Sequence, residues 1–263
     1  MYYLRLIATF IRISIQEETA YSLNFFIGLL SALLNLGTGL LGLLVLFSQV
    51  NSVRGWTFSS TLALLGVYIL LGALRGLFIG PSLNALVGLD GEVWTGRFDF
   101  TLLRPLNAQV MASLRHWRLF SLFDLLTGVG VLSLAIIRLQ QALEVLHLLK
   151  FLIALGAAIT ILYAILLFFS ALLFWSPGFL FTWIFDGLFQ MARYPVGLYP
   201  GWLGLVLTWI IPVGLMTTIP AQALNGTLSS GLLVSSAVLA VLLFVGATAF
   251  FQVGLRHYTS ASS

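Results

Sequence analysis

Six stretches of this chain are apolar for long enough to cross a lipid bilayer, at about residues 21 to 47, 57 to 79, 119 to 137, 148 to 174, 197 to 219 and 231 to 252. A hydrocarbon layer about 30 Å thick takes roughly 20 mostly apolar residues of helix, so each run predicts one span. Ahead of the first run, Arg5, Thr9, Arg12, Gln16 and Thr19 are spaced by four, three, four and three. On a helix they form one narrow polar stripe, the pattern of an amphipathic helix lying in the headgroup layer over residues 1 to 20. A second stripe, Thr182, Asp186, Gln190 and Arg193, predicts a shorter interfacial helix over residues 178 to 193. The fold class is therefore all-α: one polytopic membrane domain over residues 1 to 263, with about six transmembrane helices and an N-terminal amphipathic interfacial helix.

Proline and glycine modify that picture. Pro212 and Pro220 interrupt the fifth run, and Asn225, Gly226, Thr227, Ser229 and Ser230 follow it. Backbone groups freed by proline must find neighbouring helices or water, so residues 212 to 230 are expected to be a re-entrant or simply kinked element on the outer side, with Pro212 and Pro220 as an outer gate. Gly28, Ala32, Asn35, Gly39 and Gly42 in the first run, and Gly72, Gly76 and Gly80 in the second, allow close helix approach within one subunit or between two.

With 60% hydrophobic and 8% charged residues and a mean hydropathy of +1.08, the chain is not a soluble domain. Its net charge of +4 comes from twelve basic residues scattered singly, which read as topology signals and exclude a nucleic-acid surface. With a cytoplasmic N-terminus, Arg5, Arg12, Arg75, Arg97, Arg104, Arg115, Arg118, Arg193 and Arg256 fall inside, and Arg54, Arg138 and Lys150 outside. Nine against three places both termini in the cytoplasm. Arg5 and Arg12 interrupt the apolar start and Glu17 and Glu18 follow it, so the N-terminus is not expected to be a cleaved signal.

No catalytic machinery is legible. There is no cysteine, and His116, His147 and His257 are isolated, without metal-ligand spacing. Lys150 is the only lysine, so a phosphate-cradling loop with its lysine is absent; the chain is not an enzyme by itself, and carries no cofactor and no metal. Nor does any acid, base or histidine fall near mid-membrane, because Arg75 lies at the inner end of the second run and Asp124 a turn or two inside the third. Ion-driven transport thus lacks its usual relay residue, although half-helix termini keep that class open.

The longest polar connector, residues 80 to 118, is where a partner would bind. Pro81 opens a short helix, residues 88 to 91 break it, and Arg104 with Pro105 ends the next element. Asp90, Glu92, Arg97, Asp99 and Arg104 sit among Val93, Trp94, Phe98, Phe100, Leu102 and Leu103. That mixture fits a docking knob with apolar anchors and a charged rim, and equally a loop held at the membrane interface.

The segment EVWTGRFDFTLLRPLN, from Glu92 to Asn107, resembles the cytoplasmic-loop signature of a bacterial ABC-2 type permease family with about six spans and no fused ATPase. YPVGLYP at Tyr194 to Pro200, Ile211 with Pro212, IPAQALNG at Ile219 to Gly226, and the tail from Gly254 through Thr259 to Ser260 are similar to later parts of that family, in the same order. The resemblance implies a permease subunit of an ATP-driven exporter in the bacterial plasma membrane. This chain would form half of the pore, beside a second permease subunit of the same or a related kind, and ATP and Mg would be held by separate ABC ATPase subunits. It also implies an ATPase-coupling interface at Glu92, Gly96, Arg97, Asp99, Leu103, Arg104 and Pro105, braced by the N-terminal helix, with a second contact around Asp186 and Arg193. The alternative is an ion-driven or facilitative transporter acting without an ATPase. An aromatic and aliphatic path suits drugs, lipids and other amphiphiles equally, so the substrate is not specified.

Overall fold

Proline and polar punctuation set the element boundaries of this all-helical chain. The computed structural model describes residues 2–19, 22–139, 144–176 and 181–258; Thr259 and Ser260 of the tail lie outside them. Helix α1 (Tyr2–Thr19) precedes the first span, α2 (Ser22–Phe47). A two-residue hairpin, β1 (Ser52–Val53) and β2 (Trp56–Thr57), turns the chain through Arg54 and Gly55, both at positive φ. Thr57 then caps α3 (Phe58–Asn84) in a reciprocal bond pair with Ser60.

Near its end α3 widens into a π turn over Arg75–Ile79. Pro81 lacks the N–H that would reach Leu77, and the Leu77 carbonyl accepts from the Arg118 N–H at 2.8 Å instead. The proline thus ties the end of the second span to the entry of the third. Two short helices, α4 (Asp99–Leu102) and α5 (Ala108–Leu114), fill the connector, followed by the spans α6 (Ser121–Leu139) and α7 (Val145–Phe174). After α8 (Phe181–Met191) come α9 (Gly201–Ile210) and α10 (Val213–Leu224), and α11 (Ser230–His257) closes the bundle. Among the described residues, five helices are long and apolar enough to span a membrane, six if the bent pair α9 and α10 counts as one. The core lies where α3, α7 and α10 meet, and α10 is buried along nearly its whole length.

At Pro212, where the sequence predicts a kinked or re-entrant element, α9 and α10 meet at 89° across Ile211 and Pro212. One face of α8 packs on the bundle, where Phe185 and Phe189 are buried and stacked and the Arg75 guanidinium sits 4.9 Å from the Phe185 ring, while Trp183 and Ile184 on the other face are exposed. Two residues of the polar stripe meet polar partners on other helices. Asp186 forms an ion pair with Arg75, and Arg193 Nη2 donates to Asn35 Oδ1 at 2.8 Å, midway along α2.

These contacts trace the path of the chain. Trp175, just after α7, stacks on Phe250 near the end of α11, whereas the Gly197 carbonyl accepts from Arg54 in the hairpin. From Asp186, paired with Arg75 near the connector end, to Gly197 the chain therefore runs to the hairpin end. Asn225 and Thr227, after α10, border the same small cavity as Arg54 and Trp56, so α9 and α10 leave the hairpin end and return to it. Pro212 sits at their bend, while Pro220 is enclosed within α10 without breaking it.

Candidate functional site

Glycine and backbone hydrogen bonds fold the connector after α3 into a compact knob. The Glu92 N–H donates to Ala85 O and the Phe98 N–H to Glu92 O, both at 2.9 Å. Gly88 and Gly96 take φ of 88° and 73°, a region costly for side chains with a Cβ. At Gly91 a Cβ would lie 2.6 Å from the carbonyl oxygens of Leu86 and Val87. Asn107 caps α5, its side chain accepting from the N–H groups of Gln109 and Val110.

The residues anticipated from the sequence take different parts in this knob. Glu92 is an anchor, its Oε1 lying 2.8 Å from Arg115 Nη1 and 3.8 Å from His116 Nε2. Arg97 holds the frame, with Nη2 donating to Asp90 O at 2.6 Å and Nε to Thr95 Oγ1 at 3.1 Å. Asp99 faces Tyr258 at the end of α11; burial, with that carboxylate beside it, pushes the phenol up to about 12, so Tyr258 stays protonated. Leu103, Arg104 and Pro105 are exposed at the tip, Leu103 to 81%.

The mixture of charged and apolar residues resolves into two faces. Val93 and Phe98 point inward, and Phe98 is fully buried, its ring 5.7 Å from Phe174 and 5.6 Å from Tyr258. Trp94, Phe100, Leu102 and Leu103 point outward. Behind the knob, Ser82 Oγ and the His116 backbone exchange two bonds of 2.9 Å. Helix α1 braces the same turn, where Glu18 Oε2 accepts from the Leu119 N–H at 2.8 Å and Ser14 Oγ from the Trp117 N–H at 3.2 Å.

Asp186 and Arg193 lie outside the knob: Asp186, its side chain still 44% exposed, pairs with Arg75, and Arg193 donates to Asn35. Sequence reasoning missed Phe174 and Tyr258, which are distant in the chain; the sign for Tyr258 was its place after a basic helix end at Arg256 and His257. Among the described residues, no group of three or more His, Cys, Asp or Glu could hold a metal ion.

The Glu92 anchor gives the knob a pH dependence. Burial favours the neutral carboxyl, but His116, Arg115 and Arg97 outweigh it and hold the group below its ordinary 4.5. A carboxylate with a depressed folded value stabilises the knob above 4.5 and loses that contribution as pH falls through the lower value. A nitroxide at Leu89→Cys, an exposed position of the knob, is therefore expected to stay restricted at neutral pH and become mobile in acid, whereas with Glu92→Gln it is mobile throughout. A label that ignores pH in both would remove Glu92 as the anchor.

Comparison with known proteins adds one result. A family model described as ABC-2 family transporter protein matches residues 33–262. No curated protein and no solved structure matches the chain.

Proposed function

The chain belongs to the ABC-2 transporter family, and from that premise we propose that it forms half the pore of an ATP-driven exporter, coupled through residues 80–118 to separate ABC ATPase subunits. Membership makes it a multi-pass permease of an ABC transporter, the membrane component and not the ATPase. The observation that supports docking is the two-faced knob, whose apolar tip of Phe100, Leu102 and Leu103 stands clear of the bundle while Phe98 and Glu92 fasten its base. Buried aromatic and aliphatic anchors with a charged rim are what a protein groove recognises.

ATP shifts a permease between inward and outward access only if the ATPase binds its two states with different free energies. A knob attached to α3, α6, α7 and α11 through Pro81, Arg118, Phe174 and Tyr258 carries such a difference into the spans. Its tip faces the cytoplasm in this reading, and the membrane is the bacterial plasma membrane with both termini inside. Moving Arg193 from the inner count into the bundle leaves eight basic residues against three, so the charge bias persists.

Because the chain has no cysteine, Arg104→Cys gives a single label site. A membrane-impermeant maleimide is expected to modify it in inside-out vesicles and spare it in right-side-out vesicles. Labelling from the outside ends the proposal. Vanadate-insensitive transport by the purified chain alone would favour the ion-driven or facilitative alternative.

A further inference from the structure

We propose that Arg193 and the groove beside it form a binding site for an anionic amphiphile, with the acidic head on the guanidinium and the apolar body along α2. The inference rests on the chain being a transport permease and names the class of molecule it takes. Arg193 is partly buried, level with the middle of α2, and among the described residues its acceptors are neutral: Asn35 Oδ1 at 2.8 Å and Thr38 Oγ1 at 3.4 Å. The guanidinium stacks 5.1 Å from the Tyr68 ring. Its Nε is buried with no acceptor among the described residues, and none of their carboxylates pairs with it. The nearby acid, Asp124 of α6, faces the Asn35 amide instead.

A cation held at such depth is costly without a counter-charge, and such residues mark substrate paths. Arg75 is the contrast, since Asp186 neutralises it within the chain.

The second observation is where the apolar room lies. Asn35, Thr38, Gly42 and Val45 are spaced by three, four and three, so they share one face of α2. A groove of about 570 Å³ opens on that face, lined by Leu41, Gly42, Val45, Tyr194, Leu198 and Tyr199. It begins one turn beyond Thr38 and includes the neighbour of Arg193. Its size is that of small-molecule sites, about 300–1,000 Å³. Gly42 lets Tyr194 form that wall of the groove, since a Cβ there would stand 2.5 Å from Tyr194 Oη.

The test measures saturable binding of dodecyl phosphate, dodecyl maltoside and dodecyltrimethylammonium to the purified chain in phosphatidylcholine nanodiscs. Dodecyl phosphate is expected to bind at least about tenfold tighter than the other two, as a charge-assisted hydrogen bond implies. Arg193→Gln should abolish that preference and Arg193→Lys keep most of it. Gly42→Leu should erase the difference between hexyl and dodecyl phosphate while the preference for the anionic head stays. This variant and the wild-type head-group ranking decide the matter if Arg193→Gln does not fold. Competition from added phosphatidylglycerol assigns the site to a bilayer lipid, and its absence assigns it to a diffusing amphiphile. Equal affinity for the three head groups, or an unaltered preference in Arg193→Gln, overturns the proposal. No ATPase enters the assay, so its failure leaves the coupling reading standing, and loss of coupling leaves this site standing.

Discussion

Replacing Leu103 with aspartate is expected to leave the permease folded and in the membrane while abolishing stimulation of its ATPase partner. Leu103 is 81% exposed at the tip of the knob, so the folded chain has little to lose there; surface changes of this kind stay within about 0.5 kcal/mol. In a groove the same side chain contributes about 1.5–3 kcal/mol by leaving water, and a carboxylate in its place adds the cost of desolvating a charge. A combined loss of about 3 kcal/mol or more corresponds to docking weaker by over a hundredfold. The measurements are the affinity of the ATPase for the permease in nanodiscs and its turnover with and without it. Leu103→Met keeps the apolar volume and should behave as the wild type. Undiminished docking by Leu103→Asp would show that the ATPase grips some other surface. Arg104, equally exposed beside it, belongs to the rim, where loss of charge is expected to act more on association rate and salt dependence than on final affinity.

How far the sequence could be read follows from what each signal reports. Apolar run length located α2, α3, α6, α7 and α11 within a few residues at most ends, because lipid leaves a backbone little choice but helix. The same signal does not resolve residues 181 to 224, where α8 and the loop after it lead to the hairpin end and the bent pair α9 and α10 leaves that end and returns to it. Hydropathy cannot distinguish a straight span from a broken one of equal composition. The stripe of Asp186, Gln190 and Arg193 predicts an interfacial helix, because an isolated helix gives no sign of partners elsewhere. The partners were present in the sequence: Arg75 in the second run needed an acid, and Asn35 in the first needed a donor or an acceptor. Matching those unpaired polar residues against the stripe would have drawn α8 into the bundle. In the connector, the residue mixture gave the knob but not which side chains face in. Val93 and Trp94 are adjacent, and only the fold separates the buried one from the exposed one.

Phe98→Ala is expected to have the opposite profile to Leu103→Asp: the tip stays intact, but its hold on the spans is lost. Phe98 is fully buried between Phe174, at the end of α7, and Tyr258, just past α11. Phe174 also meets Phe251 at 5.4 Å, and Gly254 lets the helices approach so closely that a Cβ there would lie 2.5 Å from the Phe174 ring. Removing a buried phenylalanine costs about 3–5 kcal/mol. Here that cost falls on the attachment of the knob, because Glu92, Arg97 and the bonds at Gly88 and Gly91 still hold its internal fold. The ATPase should therefore still bind within about tenfold of its normal affinity while ATP hydrolysis no longer drives transport. Tyr258→Phe removes only the phenol that faces Asp99 and keeps the ring, so a smaller loss of the same kind is expected. A spin-label pair on the knob and α11, at the exposed positions Leu89→Cys and Val253→Cys, reads the attachment directly. Its distance distribution should broaden in Phe98→Ala and stay narrow in Leu103→Asp. A narrow distribution with full coupling in Phe98→Ala would mean that motion reaches the spans through Pro81 and Arg118 alone, and that the aromatic cluster only fills space.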